Sequence, residues 1–128
     1  MIIDKSLLDS LTAAAKESPR LRANYDLRTS AADTSQRMLN ALEPGTLVPV
    51  HRHPNSTETV LCLRGRMDEV LYSEDGLREV ERIHLCPSDG GFGCQVPAGA
   101  WHTVEVLEPS VIFEAKDGKY GEDGSEGR

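Results

Sequence analysis

No apolar run in this 128-residue sequence approaches the roughly 20 residues that a membrane-spanning helix needs. No block of lysine or arginine interrupts a chain whose formal net charge is −7. An acidic chain without basic clusters is a poor match for nucleic acid or an anionic membrane surface, so neither is an expected partner. The opening stretch, MIIDKSLLDSL, sets acids among its apolar side chains and has no basic region. It does not read as a secretory signal, and the expected location is cytoplasmic. Cysteine is scarce: Cys62, Cys86 and Cys94 form no CxxC pair. That argues against a disulfide framework and a structural zinc knuckle, and favours small buried or half-buried thiols. Internal repeats and interdomain linkers are also missing, and 128 residues are too few for two independent cores, so one domain is expected.

What is present is an ordinary globular balance, 38% hydrophobic and 27% charged. DKSLLDSLTAAAKES reads as a helix capped by Asp4 or Ser6, with Leu7, Leu8, Leu11 and Ala14 or Ala15 on one face and Pro19 at its end. RLRANYDLRTSAAD reads as irregular. DTSQRMLNALEPG reads as a second short helix stopped by its terminal EPG. From Gly45 the pattern changes to short runs with β-branched residues: TLVPVHRH, ETVLCLRG, RMDEVLYS, REVERIHL, GCQVPAG, WHTVEVL and SVIFEAK. Turn signals such as RGR, EDG, CPSDGG and EPS separate them, which predicts an all-β barrel or sandwich. The last residues, KDGKYGEDGSEGR, are rich in glycine and acids and are expected to form a flexible tail. The chain thus divides into a helical extension over 1–44, a β domain over 45–117 and a tail over 118–128.

Side chains two apart on a strand share a face, so His51 and His53 project together. Glu58 follows the turn residues Pro54, Asn55 and Ser56, and a chain reversal there returns its carboxylate toward the histidines. Taken alone, HxH is more often a pair on a solvated strand face than a pair of ligands. Downstream, PAGAWH combines a tight turn at Pro97 and Gly99 with His102 near the start of a strand. Alone, it fits a hairpin with a surface histidine equally well.

Together the two stretches have the spacing G-x5-H-x-H-x4-E-x6-G and G-x5-P-x-G-x2-H. The positions are Gly45, His51, His53, Glu58 and Gly65, then Gly91, Pro97, Gly99 and His102. This resembles the two-part signature of the cupin superfamily, and Val106 stands where that family often has asparagine. The resemblance implies a single-domain, mostly β fold: a double-stranded β-helix, or jelly-roll barrel, preceded by one or two N-terminal helices. It also implies one divalent metal held by His51, His53, Glu58 and His102 in the barrel mouth, and a homodimer. SPRLRANYDL, QRMLNALEPGTLVPVHRHP and VPAGAWHTVEVLEPSVIFEAKDG are further similar to the WbuC family of cupin-fold proteins, found in or near bacterial surface-polysaccharide gene clusters. Ser56 and Thr57 stand where that family often has an aromatic residue before the glutamate.

Three imidazoles and a carboxylate suit Fe, Mn, Ni, Zn or Co in the divalent state and disfavour calcium; ligand type alone does not choose among them. An octahedral metal on four protein ligands keeps two positions open. Such a site supports Lewis-acid chemistry on a small polar metabolite such as a sugar or sugar acid. It equally supports non-haem dioxygenase or oxidoreductase chemistry, and a non-catalytic ligand-binding module is the third reading. Arg20, Arg22 and Arg37 are candidates to hold an acidic group of the ligand. Trp101 and Cys62 read as packing residues, and His84, which belongs to no motif, as an ordinary strand histidine.

Overall fold

The computed structural model describes residues 1–128. One helix, α1 (Lys5–Glu17), precedes eight strands: β1 (Arg22–Asp26), β2 (Ser35–Leu42), β3 (His51–Arg52), β4 (Glu58–Tyr72), β5 (Glu79–Leu85), β6 (Gly93–Val96), β7 (His102–Asp117) and β8 (Glu126–Gly127). A 3-10 turn at Pro87–Asp89 separates β5 from β6. No helix is long and apolar enough to cross a membrane.

The capping expected for α1 is present: the Asp4 carboxylate accepts the Leu7 amide, and the helix stops at Ser18, ahead of Pro19. Its apolar face buries Leu8, Leu11 and Ala15 against Leu39, Ala41 and Val111. At about 1.5–3 kcal/mol for each large side chain taken out of water, this contact, more than intrinsic propensity, keeps a 13-residue helix folded.

The second helix is not there. SQRMLNAL is β2, hydrogen-bonded to β1 on one edge and β7 on the other. Its two faces explain why the sequence misleads. Leu39 and Ala41 point to α1, while Met38, Asn40 and Leu42 line the opposite, cavity side. A strand covered on both faces shows a near-continuous apolar run, which periodicity alone cannot tell from a buried helical segment. RANYD, expected to be irregular, is β1 and pairs with β2 from Arg22↔Leu42 to Asp26↔Met38.

Strands β4 and β7 run antiparallel along nearly their whole lengths, from Thr59↔Ala115 to Leu71↔His102. The turn signals RGR and EPS were expected to divide each of them in two. Instead they are bulges inside continuous strands, with register shifts between Cys62 and Met67. The bend lets one strand pair serve both walls of the barrel. Beyond it, β6 pairs with β4 at one end and β5 at the other, while β2 and β3 take the corresponding ends of β7. Leu42, Val60, Cys62, Met67, Leu85, Val106 and Ile112 close the barrel bottom as one buried cluster. The TLVPV part of the first expected run is not a strand; regular pairing starts only at His51.

The terminal residues also differ from expectation. Residues 118–128 lie on the barrel, with β8 paired to β3 at His51↔Gly127 and Arg52↔Glu126. Polar bonds hold them there. Gln36 Nε2 donates to Asp123 Oδ2 at 2.7 Å and to the Gly118 carbonyl at 3.0 Å, and Arg128 Nη1 donates to the Gly76 carbonyl at 2.7 Å. Composition registers missing apolar residues but not a docking made of hydrogen bonds.

Gly65 sits at the bend with φ +98°, and a β-carbon there would collide with the Ser110 side chain and the Pro109 carbonyl. Gly99 has φ +85° but open space around it. Gly65→Ala is therefore expected to cost about 2–4 kcal/mol, combining backbone strain with a rigid clash. Gly99→Ala should cost about 1–2 kcal/mol from the backbone alone. Denaturant midpoints of the two variants measure the difference.

Candidate metal centre in the barrel mouth

The antiparallel pairing of β3 and β7 sets His51 directly opposite His102. His53 follows two residues later, and Glu58 opens β4 from the other wall. Ring centroids are 4.2 Å apart for His51 and His102, 5.0 Å for His51 and His53, and 5.3 Å for His53 and His102. One ring nitrogen of each of the three lies within 4.8 Å of the others. Glu58 Oε2 is 3.0 Å from His53 Nε2. All four residues singled out from the sequence thus converge.

Each imidazole is turned by a bond to its Nδ1. His51 Nδ1 donates to the Pro49 carbonyl at 2.8 Å, and His102 Nδ1 to the Ala100 carbonyl at 2.9 Å. A carbonyl only accepts, so both protons belong on Nδ1 and both Nε2 atoms carry a free lone pair. His53 reaches the same state through a relay. Ser125 Oγ donates to Asp123 Oδ1 at 2.6 Å, which leaves Oγ to accept from His53 Nδ1 at 2.7 Å. The Nε2 atom of His102 is buried without a hydrogen-bond partner, and that of His53, unprotonated in this tautomer, meets only the Glu58 carboxylate. Buried polar atoms are rarely left so, and here they face one another across the space that an ion would fill. Burial, then neighbouring His51, lowers the His102 pKa to about 4, and burial also lowers that of His51, so these rings stay neutral and able to ligate.

A cavity of about 860 Å³ opens over the four residues. Its walls carry three residues that sequence reasoning passed over. Glu69 is 1% exposed with both carboxylate oxygens unpartnered, and burial followed by repulsion from Glu58 and Glu114 raises its pKa well above the ordinary value. Burial, with Glu58 adding to it, pushes Glu114 up to about 8. Lys116 Nζ lies 3.8 Å from Glu58 Oε2. Burial would raise the Glu58 pKa too, but its neighbours, with Lys116 the standing cation among them, outweigh it and lower the value, which keeps the carboxylate ionised. Strand parity was the available signal: Glu114 and Lys116 share the face of buried Ile112, and Glu69 that of Met67.

Arg20 and Arg22 line the cavity, with Arg22 Nη1 donating to the Leu47 carbonyl at 3.3 Å. Arg37 does not reach it. Its guanidinium is bound to Asp33 at 2.8 Å and to the Ser35 carbonyl at 3.0 Å, beside a smaller cleft of about 170 Å³. Trp101 donates to the Glu74 carbonyl and is 9% exposed, as expected of a packing residue. Cys62 belongs to the buried cluster, where burial pushes its thiol up to about 11.

A family model described as "Domain of unknown function (DUF6016)" matches residues 3–85. No curated protein matches the chain. Among solved structures, an oxalate oxidase in complex with the substrate analogue glycolate is 17% identical with a TM-score of 0.65, over 85% of this chain and 56% of that one. CapF with the inhibitor 3-isopropenyl-tropolone is 15% identical with a TM-score of 0.66, over 80% and 30%. The Bacillus subtilis oxalate decarboxylase studied for its Mn(II) centres is 22% identical with a TM-score of 0.62, over 83% and 27%. This chain spans little more than half of the first and under a third of the other two. The likeness establishes the fold, a single-domain jelly-roll barrel of the cupin type with one N-terminal helix.

The relay to His53 makes the terminal segment sensitive to acid. Burial would raise the Asp123 pKa, but bonds from Ser125 and Gln36 outweigh it and hold it at about 2, below the ordinary 3.8. A lowered folded value means that the contribution of Asp123 is complete above pH 3.8 and is lost as pH falls toward 2. Hydrogen exchange at residues 123–127 should therefore accelerate over that interval. In Asp123→Asn the same amides should exchange faster at neutral pH.

Proposed function

The chain belongs to the DUF6016 family and has the cupin fold, and on that basis we propose that it is a metal-binding protein with one divalent transition metal on His51, His53, His102 and Glu58. The observation that carries this reading is the set of outward Nδ1 bonds, which leave the Nε2 atoms facing one point, that of His102 buried without a partner and that of His53 against the Glu58 carboxylate. Three imidazoles and an ionised carboxylate fit Fe, Mn, Ni or Zn. Bound there, such an ion supplies Lewis-acid polarisation of a hydroxyl or carbonyl oxygen.

The proposed activity is a metal-dependent reaction on a small polar metabolite such as a sugar or sugar acid. The cavity is large enough for one such molecule, and its lining is mostly polar. Arg20 and Arg22 hold an acidic group of the ligand at the mouth, and Lys116 offsets the charge of Glu58. The similarity of residues 18–27 and 96–118 to the WbuC family supports a role in surface-polysaccharide synthesis. A second reading, oxidoreductase chemistry of dioxygenase type, is favoured by the likeness to oxalate oxidase.

Elemental analysis of tag-free protein tests the metal. Wild type is expected to carry near one equivalent of a transition metal at this centre, with His51→Ala and His102→Ala losing it. Metal-free wild type that also fails to take up metal on reconstitution would sink the proposal. Arg20→Ala and Arg22→Ala should each weaken binding of a sugar acid about tenfold and leave metal content unchanged. Calorimetry with sugar acids against their neutral sugars separates the two effects.

A further inference from the structure

Away from the barrel mouth, His84, Cys86 and Asp89 each bring one ligating atom within 4.8 Å of the other two. None of them lines the barrel cavity. We propose that these three residues form a second metal site, selective for a thiolate-preferring divalent ion of the zinc type.

The local chain builds the cluster. His84 is the penultimate residue of β5, and Cys86 follows it at the same strand parity. The loop from Cys86 to Gly91 then closes on itself: the Cys86 amide donates to the Gly91 carbonyl at 2.8 Å, and the amides of Gly91 and Asp89 return to the Cys86 carbonyl at 3.1 and 3.0 Å. This closure holds Asp89 beside Cys86. The Cys86 thiol is buried, while Asp89 and His84 are half-exposed above it.

The histidine is held as a metal-ligating histidine is held. Asp68, only 8% exposed, accepts from His84 Nδ1 at 2.8 Å through Oδ1, and its Oδ2 is fixed by Arg82 at 3.0 Å. A carboxylate on one ring nitrogen orients the ring and leaves the other nitrogen to ligate. That nitrogen, Nε2, lies 3.8 Å from Asp89 Oδ2. The ion pair of Asp89 with Arg66 is long, 3.7 Å, and solvated, so it contributes little against a metal. The surroundings are acidic: Asp68, Glu79, Asp89, Glu105 and Glu108 face only Arg66 and Arg82.

Thiolate, imidazole and carboxylate with one position open to water make a tetrahedral zinc set. Ligands at zinc distances lie about 3.5 Å from one another, so the half-exposed His84 and Asp89 side chains close the site by turning inward by about an ångström.

Cobalt(II) tests this independently of the barrel, whose four proposed ligands include no sulfur. Titrating wild-type protein with cobalt(II) chloride should produce a sulfur-to-cobalt charge-transfer band in the near ultraviolet, and zinc(II) should bleach it. The band should persist in His51→Ala/His102→Ala, disappear in Cys86→Ser and weaken strongly in His84→Ala. Because Cys86 is buried, the surface variant Asp89→Asn provides a check that leaves the core intact, and it too should weaken the band. Asp68→Asn should lower cobalt affinity about 10- to 100-fold. No charge-transfer band in the wild type, or a band that survives Cys86→Ser, would overturn the proposal.

Discussion

The pairing of β4 with β7 is the contact on which the rest of the molecule depends. A straight pair of strands this long would leave its ends far apart on a flat ribbon. The bulges around Gly65 and Ser110 bend it instead, between the end where Leu71 pairs with His102 and the end where Thr59 pairs with Ala115. Ser110 secures the bend: its hydroxyl accepts the Arg66 amide at 3.1 Å and contacts the Glu108 carbonyl at 2.8 Å. With the bend in place, Glu58 from one wall and His102 from the other face the same interior space. Without it, the three histidines and Glu58 would have no common centre.

A second layer of bonds turns that convergence into a set of donors. Three histidines that merely lay close would compete for one another's protons, and each ring would have two tautomers to choose from. The Pro49 and Ala100 carbonyls and the Asp123–Ser125 relay remove the choice by accepting at Nδ1. Two of these anchors lie two residues from their histidine and come with the local chain. The third comes from the terminal segment, 72 residues away in sequence. The docking of that segment is thus tied to the centre itself.

Legibility in the sequence followed the range of the interaction. His51, His53, Glu58 and His102 could be read because two of them share a strand face and the glycines and Pro97 mark the turns around all four. Helix α1 could be read because its cap and its apolar spacing are local. β2 could not, because Leu39 and Ala41 meet α1 while Met38 and Leu42 meet the barrel, and only the tertiary structure separates the two faces. The continuity of β4 and β7 through RGR and EPS was hidden for a related reason: a bulge and a turn use the same residues, and cross-strand partners decide between them. Arg37 was grouped with Arg20 and Arg22 as an arginine of the N-terminal segment able to reach an acidic group of the ligand, yet Asp33, four residues before it, captures its guanidinium.

The charges of the cavity form a gradient that binds these observations together. Glu58, Glu69 and Glu114 stand on its walls around the histidines, and burial makes a full set of three carboxylate charges unfavourable. The structure divides the problem. Glu58 keeps its charge beside His53 and Lys116, while Glu69 and Glu114 take up protons far more readily than an exposed glutamate. Arg20 and Arg22 lie on the side formed by the N-terminal segment, where solvent still reaches them. A cation is therefore favoured among the histidines and acids, and an anionic group beside the arginines. A ligand spanning the cavity would satisfy both by carrying metal-binding oxygens at one end and a negative charge at the other, which is the polarity of a sugar acid. A neutral sugar would meet only the first requirement, so under the proposed function the arginine pair is where the two would be told apart.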